Sequence, residues 1–166
     1  GGWNDHSNNV DGDSIVIRFS DQTPAKINML YAPVLVSDAS VRDNFLKEPH
    51  YKKSYAVVKS CTIAVLAIAD VKHAKYPSLE QLDLSMPENA VGEICARPFD
   101  AHGKPISTVF DNQIIAIETD DLKRIPLRVG VAGRANKTKA ILAAIRGGYI
   151  NALVTDATVA SALLKA

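Results

Sequence analysis

The fold is decided by residues 127–164, LRVGVAGRANKTKAILAAIRGGYINALVTDATVASALL. Hydrophobic patterning and turn residues predict, in order, a strand at 127–132, a turn at 133–136, a helix at 137–146 and a strand at 151–155. The pair Gly147-Gly148 is placed to end the helix, and Asp156 is placed to cap a final one. This alternation of strand and helix predicts a right-handed parallel crossover, and therefore an α/β layered sheet.

The segment 62–69, TIAVLAIA, extends this prediction upstream because it is apolar on both alternating faces. Such a strand is typical of the centre of a parallel sheet, whose two faces are covered by helices. Helices are also predicted from Ser37 or Asp38 to Leu46 and over 50–60, where Pro49 suits a first turn. Further strands are predicted at 26–31 and 113–118. Residues 15–19 fit either a strand or a helix.

The composition favours one globular domain over residues 1–166. Of the 166 residues 47% are hydrophobic and 22% are charged, which is enough apolar side chain for a core. The net charge of +1 does not suit a DNA-binding surface, so any contact with DNA is expected outside these residues. The polar start and the absence of a long apolar run predict a cytoplasmic protein without a membrane span.

The metal-binding residue types are few and scattered. Cys61 and Cys95 do not form a CxxC pair, and both are interpreted as buried, reduced thiols. The four histidines show no HExxH spacing. We therefore expect neither a metal site nor a cofactor.

Three blocks of sequence resemble one family. They are APVLVSDASVRDNFLKEP at 32–49, VGEICARPFDAHGKPI at 91–106 and VGVAGRANKTKAILAAIRGGYINALVTDATVASALL at 129–164. Their order and spacing are similar to those of the effector-binding domain of SorC-type bacterial transcriptional regulators. This group includes the deoxyribonucleoside and central glycolytic regulators.

The resemblance implies a Rossmann-like parallel sheet with helices on both faces, related to sugar-phosphate isomerases and deaminases. It further implies that residues 1–166 form part of the effector domain, incomplete at the N-terminus, with no DNA-binding domain in the chain. A separate helix-turn-helix segment would read operator DNA. A phosphorylated sugar would be the effector, and the domain would assemble as a homodimer or homotetramer.

The predicted ligand site begins where strand 127–132 meets the next helix. Ligands of open α/β sheets bind at this edge, and a helix start with free N–H groups favours an anion. Gly133 and Asn136 would shape the turn, and Lys137 matches the family's phosphate-binding lysine. The segment is not a P-loop because Asn136 stands where that motif needs glycine. Arg134 departs from the family's usual glycine pair, so it would either contact the phosphate or point outward.

Four more residues are assigned to the site through the resemblance. Glu93 matches a carboxylate that faces the effector and would accept hydrogen bonds from sugar hydroxyls. Cys95, two residues later, would be an inert wall residue because no base lies beside it in the sequence. Gly1 and Gly2 match a glycine pair near the effector.

The predicted function is therefore a ligand-sensing domain that binds a phosphorylated sugar, without catalytic residues. Two alternatives stay open at this point. One is an enzyme of the isomerase or deaminase class, for which Glu93 lacks an acid/base partner in the sequence. The other is a dimerisation module with a vestigial pocket, which Arg134 would favour if it blocked the site.

Overall fold

The computed structural model of the chain describes residues 12–74, 79–80 and 84–166. The helices are α1 Gly12–Asp21, α2 Ala39–Lys47, α3 Pro49–Lys59, α4 Thr119–Arg124, α5 Thr138–Arg146 and α6 Ala157–Leu163. The strands are β1 Ile63–Ala67, β2 Ala69–Asp70, β3 Gly92–Ile94, β4 Arg97–Phe99, β5 Leu127–Val131 and β6 Ala152–Val154. Short 3₁₀ turns cover Asp111–Gln113 and Ala135–Lys137.

The main sheet is parallel and has the strand order β1-β5-β6. Ile63 pairs with Leu127, and Val129 pairs with Ala152. Helix α5 connects β5 to β6, as parallel neighbours require a crossover. The predicted α/β fold with a parallel, Rossmann-like sheet is therefore confirmed, and its carboxyl edge is formed by the ends of β1, β5 and β6.

A second, antiparallel sheet has the order β2-β3-β4. The chain passes from one sheet to the other at Ile68, the single residue between β1 and β2. A two-residue turn, Cys95 and Ala96, joins β3 to β4. Both turn residues have positive φ, 55° and 62°, as a type I′ hairpin turn requires.

The main core lies between the two sheets and α5. Helix α5 packs against β2, β3 and α6. Its buried face consists of Ala140, Ile141, Ala143 and Ala144. Ile94 comes from β3 and Ile68 from the junction between β1 and β2, and Phe99 stacks on Tyr149 with 4.7 Å between the ring centroids. This packing fixes the start of α5 relative to both sheets.

Two predicted strands are wrong. Residues 26–31 form no regular structure, and Ile27 in this segment is 40% exposed. Residues 113–118 contain only the end of a 3₁₀ turn and an isolated bridge between Ile114 and Leu35. Both segments carry the apolar pattern of a strand, but the described residues give them no neighbouring strand with which to form a ladder.

The other local predictions hold. Residues 15–19, which fitted either structure, lie in α1. Asp38 caps α2 by accepting hydrogen bonds from the main-chain N–H groups of Ser40 and Val41, and Pro49 occupies the first turn of α3. Among the helices in the described part of the chain, none is long and apolar enough to cross a membrane.

Candidate functional site

An open cleft of about 530 Å³ lies at the carboxyl ends of β5 and β6. It is lined by Val131, Ala132, Gly133, Arg134, Lys137, Val154 and Asp156. This is the edge of an open α/β sheet where ligands bind, between the ends of two strands and the starts of the helices that follow them. The cleft therefore includes Gly133, Arg134 and Lys137 of the predicted ligand site, whereas Asn136, Glu93 and Cys95 do not line it.

Lys137 is held over the carboxyl end of β1. Its ammonium Nζ donates a hydrogen bond of 2.9 Å to the main-chain carbonyl of Ile68. The main-chain N–H of Lys137 donates to the carbonyl of Arg134, which closes the 3₁₀ turn before α5. The lysine is half-buried and lines the cleft, so its positive charge stays beside the cleft instead of extending into bulk water.

Asp156 also lines the cleft. Its Oδ1 accepts from the N–H of Val159, which caps α6, and its Oδ2 accepts from the N–H of Arg134 at 2.7 Å. These two main-chain hydrogen bonds, the one from Arg134 first, lower the pKa of Asp156. A Cβ at position 133 would lie 2.7 Å from Oδ2, so the close approach of this carboxylate requires Gly133.

Arg134 has a backbone conformation that is unusual for a residue with a side chain. Its φ is 78° and its ψ is 137°, a region that glycine adopts most readily. The residue is exposed and lines the cleft without filling it. With Arg134 and Lys137 against Asp156, the charged side chains around the cleft carry a net positive charge, which favours an anionic ligand.

Glu93 lies on β3 and does not line this cleft. It pairs with Ala69 and Pro98 across the antiparallel sheet. Burial raises the pKa of Glu93, while a hydrogen bond from the main chain of Ala96 and the charge of Lys137 oppose that shift. The structure thus brings Glu93 within electrostatic range of Lys137.

Cys95 occupies the first position of the β3–β4 turn. Burial raises the pKa of its thiol to about 11, and the charge of Glu93 adds to this shift. At neutral pH the sulfur is therefore protonated and a poor nucleophile. The side chain packs against the main core and does not line the cleft. Cys61, the other cysteine, is exposed, so its predicted burial is wrong.

A group of polar residues beside Lys137 escaped the sequence analysis. Asp70 is only 7% exposed, and its Oδ2 accepts from the Asn136 amide at 3.1 Å and pairs with His73 Nδ1 at 2.5 Å. Burial alone would raise the pKa of Asp70, but the hydrogen bonds from His73, Asn136 and the main chain of Lys72 together lower it. The available signal was a carboxylate directly after an apolar strand.

The remaining predictions concern metals and the chain start. Within the described ranges, no three His, Cys, Asp or Glu side chains come together as a possible metal site. Gly1 and Gly2, together with Trp3, lie outside the described residues.

Three comparisons with known proteins identify the relatives of this chain. A protein family described as "Putative sugar-binding domain" matches residues 1–165. The chain is 35% identical over 148 residues to the transcriptional regulator LsrR of Escherichia coli, covering 84% of this chain and 47% of LsrR. The full-length sorbitol operon regulator SorC of Klebsiella pneumoniae superposes with a TM-score of 0.71 at 26% identity, over 80% of this chain and 44% of SorC.

A transcriptional regulator of Streptococcus pneumoniae has the same fold, with a TM-score of 0.78 at 23% identity. That match covers 95% of this chain but 64% of the other. The chain also spans about half the length of the curated relatives it matches.

Proposed function

The chain belongs to the sugar-binding domain family of SorC-type transcriptional regulators, and on that premise we propose that it senses a phosphorylated sugar. The observation that carries the proposal is the cleft at the ends of β5 and β6, with Lys137 fixed at its wall. A sensor of this kind needs differential affinity of the ligand for two states of the regulator, and no chemical step.

The phosphate would occupy the cleft beside Gly133 and the start of α5. The first N–H groups of a helix have no partner within it and, with the helix dipole, favour an anion. The Lys137 ammonium supplies a full charge there, and Arg134 supplies a second. Asn136 contributes to the same turn, which makes the loop 133–137 the proposed phosphate-binding segment.

The sugar would extend from the phosphate toward Glu93. A half-buried carboxylate that accepts a main-chain hydrogen bond can also accept one from a hydroxyl. The protonated Cys95 would form part of the apolar wall next to it. Gly1 and Gly2 remain assigned to the ligand through the family pattern alone.

Substitution of Lys137 tests the proposal. Thermal unfolding of the chain is measured with and without millimolar ribose 5-phosphate, glucose 6-phosphate and inorganic phosphate. We expect at least one of them to raise Tm, and Lys137→Met to weaken its binding about ten-fold or more, because a charge-assisted hydrogen bond is lost.

Lys139→Met is the matched control, since Lys139 is exposed on α5 and does not line the cleft. It is expected to bind as the unsubstituted chain does. If no phosphorylated sugar or phosphate raises Tm, or if both lysine variants bind equally, the proposal is wrong.

Catalysis is not part of the proposed function. The named relatives are transcriptional regulators. Turnover is measured directly by incubating the chain with the same sugar phosphates and analysing the mixture for isomerised sugar or released ammonia. Product formation that disappears in Glu93→Gln would replace the sensor by an enzyme of the isomerase class.

The partners of the intact regulator follow from the same proposal. Operator DNA would bind a helix-turn-helix segment outside residues 1–166, in the cytoplasm, and the regulator would assemble as a homodimer or homotetramer. Residues 1–166 would form part of the effector domain. The match to LsrR supports this extent, because it covers 47% of LsrR.

A further inference from the structure

Two consecutive residues of the loop before α5 donate side-chain hydrogen bonds to residues 68–70, the junction between the two sheets. Lys137 Nζ donates to the carbonyl of Ile68 at 2.9 Å, and Asn136 Nδ2 donates to Asp70 Oδ2 at 3.1 Å. The partners are 69 and 66 residues apart in sequence. Ile68 is the residue at which the chain leaves the parallel sheet, and Asp70 ends β2 of the antiparallel sheet.

The Asp70 carboxylate is buried and hydrogen-bonded at this junction between the sheets. It is 7% exposed, lies on β2 opposite Gly92, and has both oxygens occupied. Oδ1 accepts from the N–H of Lys72, and Oδ2 is shared between Asn136 and His73. A buried carboxylate with this many donors is costly to move, so the loop residue attached to it is restrained as well.

We propose that Asp70 is a positioning residue of the ligand site: it fixes Asn136 and thereby holds the adjacent Lys137 in place for an anion. The inference rests on the proposed function and adds a residue to it. Asp70 itself does not line the cleft. Its effect on affinity comes from a loop that is already ordered before the ligand arrives, which lowers the entropic cost of binding.

The direction in which phosphate affinity changes when Asp70 is replaced distinguishes positioning from simple electrostatics. Asp70 carries a negative charge near the proposed phosphate position, so a purely electrostatic view predicts tighter binding of an anion when the charge is removed. Positioning predicts weaker binding, because Asn136 and Lys137 then have to be ordered by the ligand. The two views therefore differ in direction for one substitution.

The experiment measures binding of inorganic phosphate to the 166-residue chain from the backbone amide shifts of residues 133–140. We expect Asp70→Ala and Asn136→Ala each to weaken binding about five-fold, and the double variant to be no weaker than Asp70→Ala alone, as expected for coupled residues. Asp70→Asn keeps one oxygen that can accept from Asn136, so its affinity should lie between those of Asp70→Ala and the unsubstituted chain.

Asp120→Ala serves as the control, because Asp120 is an exposed carboxylate on α4, before the amino end of β5. Unchanged or tighter phosphate binding by folded Asp70→Ala would overturn the inference. So would a double variant whose loss of phosphate affinity equals the product of the losses in Asp70→Ala and Asn136→Ala, because the two residues would then act independently. If Asp70→Ala does not fold, Asn136→Ala decides alone, since Asn136 is exposed, and unchanged affinity of that variant refutes the role of Asp70.

The outcome also separates this inference from the proposed function. Phosphate binding that depends on Lys137 but not on Asp70 or Asn136 refutes the positioning role only. If the unsubstituted chain binds neither inorganic phosphate nor any of the phosphorylated sugars, both the positioning role and the proposed function are refuted.

Discussion

Arg134 combines a backbone suited to glycine with a side chain suited to an anion. Its φ of 78° is one of three positive values among non-glycine residues of the described chain. The Asp156 carboxylate accepts a hydrogen bond from the main-chain N–H of Arg134, with 2.7 Å between N and Oδ2, and this bond keeps the loop in its conformation. A residue held in such a region costs about 1–3 kcal/mol, and strain of this kind often accompanies a ligand site.

Arg134→Gly is expected to raise the free energy of unfolding by about 1 kcal/mol. The relief of strain exceeds the entropy that glycine adds to the unfolded chain. Urea denaturation at neutral pH measures the difference. Lys139→Gly, a similar loss of a cationic side chain within α5, should instead lower stability by about 1 kcal/mol. A decrease for Arg134→Gly as well would show that the loop carries no strain.

The same glycine substitution defines the contribution of the side chain to the site. If the guanidinium contacts the ligand phosphate, Arg134→Gly loses phosphate affinity while gaining stability. If the side chain only occupies the cleft mouth, affinity is unchanged or rises. In that second case, Arg134→Gly would simply restore the glycine pair that the resemblance to the family predicts at positions 133 and 134.

At the scale of elements, Asp156 links two pieces of structure. It caps α6 through Val159 and holds the loop after β5 through Arg134. Asp38 caps α2 in a similar way, but its hydrogen bonds stay within its own helix start and its neighbour Ser37. The two carboxylates therefore form a natural pair for comparison.

We expect Asp156→Ala and Asp38→Ala each to lower Tm by about 3 °C, as loss of a helix cap does. Only Asp156→Ala should also speed hydrogen exchange of the Arg134 amide, because that amide loses its acceptor. Exchange measured by NMR on both variants makes the comparison. Equal protection of Arg134 in the two variants would mean that the carboxylate does not hold the loop.

The sequence predicts elements whose signals are local. Strands at 127–132 and 151–155, the helix between them and the caps Asp38 and Asp156 all depend on neighbouring residues, and all are present. The apolar segments 26–31 and 113–118 have the pattern of strands but are not strands, because a strand also needs a partner, which sequence patterning does not reveal. The hairpin at Cys95 and Ala96 lacks the Asn-Gly signal of its turn type.

The candidate site also contains some features that the sequence predicts and others that only the folded structure shows. Lys137 and the cleft beside Gly133 follow from the order of strand and helix, together with the family pattern. The hydrogen bonds from Lys137 to Ile68 and from Asn136 to Asp70 join residues more than 60 positions apart, so only the folded structure shows them.

At the scale of the whole molecule, the main sheet is covered unequally. One face packs on the core through Leu66, Ile68 and the helix α5. The opposite face, defined by the following side chains, is exposed: Ile63 (57%), Val65 (71%), Leu127 (40%), Val131 (47%) and Val154 (58%). Parallel sheets normally have both faces covered. Under the proposal that residues 1–166 are part of a longer regulator, we therefore expect further polypeptide to pack on this apolar face.

The exposed sheet face should be detectable in the 166-residue chain as a binding surface for the dye ANS. Val65→Lys is expected to lower ANS fluorescence by about half while leaving Tm nearly unchanged, because β1 is an edge strand and tolerates an exposed lysine. Val109→Lys is the matched control: Val109 is 85% exposed but lies outside the sheet, so its replacement should leave the fluorescence as it was. Equal fluorescence of the two variants would mean that the dye does not bind this face, and that the apolar side chains of β1 and β5 are shielded in solution. A loss of fluorescence specific to Val65→Lys would establish the face as accessible, and the same substitution in the intact regulator, where the face is expected to be buried, should then lower Tm.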